Sequence, residues 1–133
     1  MSFTFASLWH LVVRNMSFSM TTPQMYAGTK FVTRRWGWKF LKVGDQVMAV
    51  EKAMGLKKGE QIKRIRPIQV ASVIREPLGR LRRYDPELQE RELRLEGFPD
   101  HTVDQFIQLL CKDGHRETDH ITRILFTPLE LVG

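Results

Sequence analysis

Apolar and polar residues alternate along several short stretches of the chain, which is the pattern of half-buried β-strands. The pattern predicts strands over residues 16–20, 31–35, 46–50, 61–75 and 121–125. Pro67 lies inside the longest of these stretches. Because proline cannot donate a hydrogen bond to a strand ladder, we expect an edge or a bulge at that point.

Three further stretches begin with a residue that can cap a helix. They lie at residues 22–28, 85–95 and 102–114. The first two have a proline at the first helical position, and Thr102 and Gln105 in the third have the spacing of a capping box. Strands followed by two helices and a last strand favour an α+β fold over a series of β-α-β units.

The size of the chain fits one domain. Its 133 residues have an apolar share of 42%, which is normal for a globular protein. We expect residues 1–15 to form an N-terminal extension and residues 16–133 to form the domain. The single cysteine, Cys111, excludes an intramolecular disulfide, and no apolar stretch reaches the ~20 residues of a membrane span. These features predict a cytoplasmic protein.

The positive charge is concentrated in one segment. The formal net charge is +6, and residues 30–66 contain eleven basic and three acidic residues. Residues 67–133 contain nine basic and twelve acidic residues. A concentrated basic patch attracts phosphate groups and releases counterions when it binds them. We therefore expect RNA or single-stranded nucleic acid as a partner, the alternative being a solvated basic face.

Several motifs of known chemistry are absent from the sequence. It has no P-loop, no dinucleotide-binding glycine motif, no nucleophile elbow and no zinc-protease motif. The candidate metal ligands near the last predicted helix are Cys111, His115, Asp119 and His120. They lack the second cluster that a zinc site needs, so we expect neither a metal nor a cofactor.

The densest group of chemically capable residues lies at positions 30–35. Lys30 supplies an amine and Thr33 supplies a hydroxyl group three residues later. Arg34 and Arg35 supply guanidinium groups, which suit phosphate or carboxylate ligands, and a lysine taken out of water can act as a base. A basic strand without any function would have a similar composition, so the residues alone leave both interpretations open.

This region resembles the start of the ASCH domain. The family signature, G-x-K-T-x-T-x-R, is matched in spacing by Gly28, Lys30, Thr33 and Arg35. Residues 42–45, Lys-Val-Gly-Asp, are similar to the family's K-x-G-D turn, and residues 96–98, Glu-Gly-Phe, are similar to its C-terminal part. The resemblance spans residues 18–127, and residues 49–60 look like those of stand-alone phage and prophage proteins.

The resemblance implies a small PUA-like mixed β-barrel over residues 16–133. A short helix would lie near its N-terminus, and two helices would precede its last strand. A basic cleft beside the first helix would bind RNA, another single-stranded nucleic acid or a modified nucleoside. A phage protein of this kind could instead use its charge to dock on an acidic host protein.

Some small bacterial ASCH proteins hydrolyse N4-acetylcytidine with a lysine, a threonine and a glutamate, and the resemblance matches Lys30 and Thr33 to the first two. Glu96 is the expected third residue, and Glu51 is the alternative if Glu96 faces away. We expect Lys30, Thr33 and Glu96 to meet in one cleft within reach of Arg35. We also expect Lys30 to be buried, with a pKa below its ordinary value.

Nucleic-acid binding is the leading hypothesis for the function, and hydrolysis of an N4-acetylcytidine-type nucleoside is its alternative. Under the leading hypothesis, phosphate contacts and base stacking come from Arg34, Arg35, Trp36, Trp38, Lys39, Lys52, Lys57 and Lys58. Stacking of a base on a tryptophan is worth ~1–3 kcal/mol.

Overall fold

A computed structural model describes residues 14–130, so most of the expected extension at residues 1–15 lies outside the described residues. The elements follow the order β1 (Asn15–Ser17), α1 (Thr22–Ala27), β2 (Val32–Arg35), β3 (Gln46–Val50), β4 (Arg64–Pro77), α2 (Pro86–Glu96), α3 (Val103–Leu110) and β5 (His120–Pro128). A 3-10 helix, Leu78–Arg83, connects β4 to α2. The α+β class predicted from the order of elements is confirmed.

The five strands form one mixed sheet with the order β1-β3-β4-β5-β2. β1 pairs with β3 in parallel, and the other neighbours are antiparallel. Over residues 14–130 the edge strands β1 and β2 share no ladder, so the sheet is not the closed barrel that the resemblance implies. Ser17 of β1 and Thr33 of β2 nevertheless line the same cleft, which shows that the sheet curls and brings its two edges toward each other.

Side-chain caps explain where the two longer helices begin. The carboxylate of Asp85 accepts a hydrogen bond from the first turn of α2, and Thr102 and Gln105 form the predicted capping box of α3. α3 ends at Leu110 rather than at Gly114, and a turn follows it. In the part of the chain that the structure describes, no helix is both long and apolar enough to cross a membrane.

The first strand is shorter than predicted. Extended structure was expected over residues 16–20, whereas β1 is Asn15–Ser17. The carbonyl of Phe18 accepts hydrogen bonds from the backbone N–H of Thr21 and from the hydroxyl of Thr22. These bonds turn the chain into α1, which is why the strand ends early.

The longest strand, β4, lies in the middle of the sheet, and it begins at Arg64 rather than at residue 61. Pro67 is therefore not at an edge. The β3–β4 register shifts between Ala49 and Val50, so the bulge falls at Ile65, two residues before Pro67, and Pro67 itself stays paired with Met48. The carbonyl of Pro67 still accepts a hydrogen bond from Leu129, so a proline is accommodated within a central strand.

Two of the apolar clusters among the described residues contribute to the cleft walls. The larger cluster lies against the curled sheet and includes Met16, Phe18, Val70, Ile124 and Phe126. The other cluster joins the 3-10 helix, α2 and α3 through Leu81, Leu93 and Phe106. Because Phe106 also lines the cleft, the packing of the helices fixes one of its walls.

One charged side chain is enclosed between β2 and α2. The guanidinium of Arg34 is 1% exposed and lies 2.8 Å from Glu96, 3.5 Å from Glu92 and 3.9 Å from Glu76. Burial alone would lower the pKa of Arg34, but the three carboxylates raise it. These contacts attach α2 to the sheet through buried charges.

Replacing Arg34 with methionine should destabilise the protein by about 3–5 kcal/mol, because three glutamates would lose their buried cation. Arg94→Met is the matched control. Arg94 is exposed and lies 3.6 Å from Glu90, so its loss should cost less than about 1 kcal/mol. Urea denaturation measures the free energy of unfolding of both variants. Equal losses in the two variants would contradict the enclosed position of Arg34.

Candidate functional site

The cleft between the two sheet edges is where the predicted catalytic residues meet. It has a volume of about 490 Å³ and is lined by Lys30, Thr33 and Glu96 together with Arg35. The predicted convergence of these four residues is confirmed. A larger pocket of about 910 Å³ lies beside the 3-10 helix and contains none of them, so size alone does not identify this site.

Lys30 is almost fully enclosed, with 3% of its surface exposed. Its amine donates to the backbone carbonyl of Glu96 at 2.5 Å and lies 3.2 Å from Oε1 of the same residue. Burial lowers the pKa of Lys30 to about 8; the carboxylate of Glu96 opposes this shift and the guanidinium of Arg35 adds to it. The predicted burial of Lys30 is confirmed, and the direction of its pKa agrees with the prediction.

Thr33 and Arg35 occupy alternate positions of β2, so their side chains leave the same face of the strand. Nε of Arg35 donates to Oγ1 of Thr33 at 2.9 Å. Burial lowers the pKa of Arg35 to about 10, with the carboxylate of Glu96 opposing the shift, so the guanidinium stays charged at neutral pH. A cation therefore contacts the threonine hydroxyl, where it would stabilise negative charge on oxygen.

Glu96 is the last residue of α2, and each of its carboxylate oxygens faces a cation. Oε1 lies 3.2 Å from the amine of Lys30, and Oε2 lies 2.8 Å from Nη1 of Arg34. The alternative carboxylate, Glu51, accepts a hydrogen bond from the hydroxyl of Tyr26 at 2.7 Å and is not part of the cleft lining. Of the two predicted candidates, Glu96 is therefore the one that lies in the cleft.

The arrangement combines the groups that an acyl-transfer reaction needs. A lysine with a pKa of about 8 can accept a proton at neutral pH, and a hydroxyl can act as the nucleophile. The guanidinium that contacts this hydroxyl can hold an oxygen anion. A carbonyl carbon placed against Thr33 would therefore meet the nucleophile and an oxyanion donor together.

Arg34 also lines the cleft, but carboxylates enclose its charge. Its guanidinium is 1% exposed and is held by the glutamates of α2 and β4. Strand alternation directs its side chain away from those of Thr33 and Arg35 and toward α2, where Nη1 donates to Glu96 at 2.8 Å. The expectation that Arg34 contacts nucleic acid stays a prediction, and within the protein its charge attaches α2 to the sheet.

Trp36 and Trp38 follow β2 in a turn and have different surroundings. Trp36 lines the cleft, donates its indole N–H to the carbonyl of Leu110 at 2.8 Å, and stacks on His115 with ring centres 4.1 Å apart. Trp38 has a left-handed φ of 53° and lies 5.3 Å from the ring of Phe40. Both tryptophans line an aromatic groove of about 450 Å³, so Trp36 joins this groove to the cleft.

Four lysines that were predicted to contact nucleic acid lie outside the cleft lining: Lys39, Lys52, Lys57 and Lys58. Lys57 and Lys58 are exposed in the loop between β3 and β4, where Lys52 forms an ion pair. That loop reaches the cleft through Met54, which is 84% exposed. These four positive charges therefore lie outside the cleft.

Ser19 and Asp113 line the cleft although neither belongs to a predicted motif. Asp113 lies in the turn after α3, because that helix ends at Leu110. The C-terminal end of a helix carries a partial negative charge, so an aspartate just after α3 is unfavourable there. This unfavourable position is the sequence signal that could have marked Asp113. Ser19 carries no comparable signal.

The residues considered as metal ligands have other contacts. His115 stacks on Trp36 and lies 3.7 Å from Asp119. Cys111 packs against an apolar cluster that includes α3, and burial raises the pKa of its thiol. Between residues 14 and 130, no three histidine, cysteine, aspartate or glutamate side chains come together as ligands would.

Comparisons with known proteins bear on the fold. No family model matches the sequence, and no curated protein matches it. The structure is similar to a crystal structure of a hypothetical protein, PH0355, with a TM-score of 0.55 and 13% sequence identity. The match covers 87% of this chain and 96% of that chain. At this identity the likeness shows a shared fold alone.

The amine of Lys30 should titrate near pH 8, well below the ordinary value for lysine. Glu96→Gln should lower this pKa further, because the carboxylate that favours the ammonium form is gone. Arg35→Met should raise it, because a repelling cation is gone. Carbon-13 NMR of labelled lysine side chains measures the pKa values, and Lys30→Arg identifies the resonance. A Lys30 midpoint at the ordinary lysine value would contradict the enclosed site.

Proposed function

We propose that the protein is a PUA-like domain of the ASCH type that hydrolyses the amide of an N4-acylated cytidine or a related nucleoside. The observation that carries the proposal is the buried, weakly basic Lys30, which shares a cleft with Thr33, Glu96 and Arg35. The cleft volume of about 490 Å³ suits a nucleoside, since small-molecule sites measure roughly 300–1,000 Å³. The spacing of the ASCH signature over residues 28–35 supports the same assignment.

Lys30 acts as the general base of the proposed reaction. At pH 7.5 a pKa of about 8 leaves roughly a quarter of the amine neutral, against about one part in a thousand for an ordinary lysine. The neutral amine takes the proton from Oγ1 of Thr33, and this oxygen attacks the carbonyl carbon of the substrate amide. Glu96 holds the amine in position through the contact of 3.2 Å.

Arg35 stabilises the oxygen anion that forms. Its Nε already donates to Oγ1 of Thr33, so the guanidinium lies beside the atom that becomes bonded to the acyl carbon. When the intermediate collapses, the ammonium of Lys30 returns its proton to the leaving nitrogen, and the acyl group stays on Thr33. A water molecule that Lys30 deprotonates then hydrolyses this ester and releases the carboxylic acid.

Lys30→Arg, Thr33→Val and Glu96→Gln should each lower kcat/KM for N4-acetylcytidine by about 100-fold or more. Lys30→Arg keeps the charge but removes the usable base, and Thr33→Val keeps the shape but removes the nucleophile. For the native protein, kcat/KM should rise with pH through about 8 and then level off, because the base must be deprotonated. Chromatographic detection of cytidine measures the rate.

Lys58→Arg and Thr127→Val are the matched controls, because both replaced residues are exposed and lie outside the cleft lining. These two variants should keep full activity. Circular dichroism establishes that each inactive variant is folded. If the folded native protein releases no cytidine from either acetylated or longer-chain N4-acylated substrates, the proposed hydrolysis is wrong.

Binding of RNA or single-stranded DNA is a second candidate function, which a separate observation favours. Basic residues are concentrated in residues 30–66, with Lys57 and Lys58 exposed, and the aromatic groove of Trp36 and Trp38 adjoins the cleft. Bases stacked in this groove and phosphates held by the lysines would together bind a single strand. The same charges could instead attract an acidic protein of a phage host.

The affinity for oligouridylate should fall steeply as salt is added, because binding releases counterions. A plot of log affinity against log salt concentration should have a negative slope. Replacing both Lys57 and Lys58 with glutamine should make this slope less steep, by about 0.7 for each phosphate contact that is lost. Lys112→Gln, outside the basic segment, is the control and should leave the slope unchanged. Fluorescence anisotropy over a salt series measures the slope.

Absent or salt-insensitive binding excludes nucleic-acid binding as a function. Capture of a host protein from nuclease-treated lysate would then favour the acidic protein partner.

A further inference from the structure

A second pocket lies away from the cleft, where the 3-10 helix meets the loop between α3 and β5. Its volume is about 910 Å³, against about 490 Å³ for the cleft. The polar side chains of its lining belong to Arg80, Arg82, Arg83, Tyr84, Glu117 and Thr118. Three guanidinium groups and one carboxylate give the lining a positive charge, and none of these residues belongs to the cleft lining.

Arg82 is the fixed part of this pocket. Its Nε donates to Glu117 at 2.6 Å, and its Nη2 donates to Asp104 of α3 at 2.8 Å. Glu117 can come this close because Gly79 has no side chain, since a Cβ there would lie 2.8 Å from Oε2 of Glu117. The backbone N–H of Gly79 also donates to the carbonyl of Glu117 at 2.8 Å. The arginine-bearing helix is therefore attached to the loop that forms the opposite wall.

Arg80 and Arg83 keep donor groups that the fold does not use. Arg83 is exposed, and within residues 14–130 no carboxylate lies at ion-pair distance from it. Arg80 contacts Glu76 through Nη1 at 3.6 Å, and its side chain is 59% exposed. Like charges that converge on one concave surface repel each other, and an anion bound between them would remove this repulsion.

We propose that this pocket binds a phosphate group. Guanidinium groups make paired, charge-assisted hydrogen bonds to phosphate oxygens, and Arg80 and Arg83 provide them beside the fixed Arg82. Tyr84 and Thr118 add hydroxyl groups to the same lining. The pocket is larger than a phosphate ion requires, so it has room for the organic part of a phosphate ester. The phosphate comes either from a nucleic-acid backbone or from a free nucleotide.

Glu76 connects this pocket to the buried charges beside the cleft. Its Oε2 lies 3.6 Å from Arg80, and its Oε1 lies 3.9 Å from Arg34. Replacing Arg80 would therefore disturb the enclosed cluster as well as the pocket. Arg83 has no such link, which makes it the residue on which to test phosphate binding without disturbing the fold.

Arg83→Gln is the decisive variant, and Arg91→Gln on α2, an exposed arginine outside the pocket, is its matched control. Inorganic phosphate and uridine 5′-monophosphate, each added to the full chain at low ionic strength, should shift the side-chain N–H NMR signals of Arg80 and Arg83. Arg83→Gln should weaken this binding about tenfold or more, as expected for the loss of one charge-assisted hydrogen bond. Arg91→Gln should leave it unchanged.

A single-stranded RNA oligonucleotide that displaces uridine monophosphate would assign the phosphate to a nucleic-acid backbone. Binding of the monophosphate that the oligonucleotide does not displace would assign it to a free nucleotide. The proposal is overturned if neither arginine signal shifts, or if Arg83→Gln and Arg91→Gln weaken binding equally. The outcome is separable from that of the proposed hydrolysis, because Lys30→Arg should leave phosphate binding unchanged and Arg83→Gln should leave cytidine release unchanged.

Discussion

The carboxylate of Glu96 is shared by two buried cations, and both the fold and the cleft depend on it. One oxygen faces Lys30 in the cleft, and the other faces Arg34 between β2 and α2. Two enclosed cations and one carboxylate would leave a surplus positive charge that is costly to bury. Glu92 and Glu76 add two negative charges, and Arg123, 2.8 Å from Glu92, adds the positive charge that balances the group. The position of α2 on the sheet therefore sets the electrostatic surroundings of Lys30.

Because one residue serves the fold and the cleft, stability and chemistry are coupled through Lys30. Its pKa is about 8 in the folded chain, where burial disfavours the ammonium form. As the pH falls below the ordinary lysine value, the unfolded chain binds this proton first, so the folded state loses stability until the pH reaches about 8. Below that pH the loss is constant. The low pKa that lets Lys30 accept a proton near neutral pH therefore lowers the stability of the folded chain.

Local sequence patterns predicted the helices and strands and the site residues that β2 carries. The burial of Arg34 and the strand order of the sheet depend on contacts between residues far apart in the sequence. Thr33 and Arg35 reach the same space because strand alternation fixes their relative directions. The same rule places Arg34 on the other face, but that face is buried only because Glu96, 62 residues later, packs against it. The open sheet depends on the parallel pairing of β1 with β3, which no local pattern encodes.

The edge strands β1 and β2 meet across the cleft without a shared ladder over residues 14–130. Moving these two strands apart therefore breaks no backbone hydrogen bond between them, unlike the widening of a fully closed barrel. Among the described residues, β1 has three residues and pairs with β3 alone, so this edge of the sheet is short. Separating these two edges would leave the long β4–β5 ladder intact, so the width of the cleft is set by side-chain packing and not by strand pairing across it.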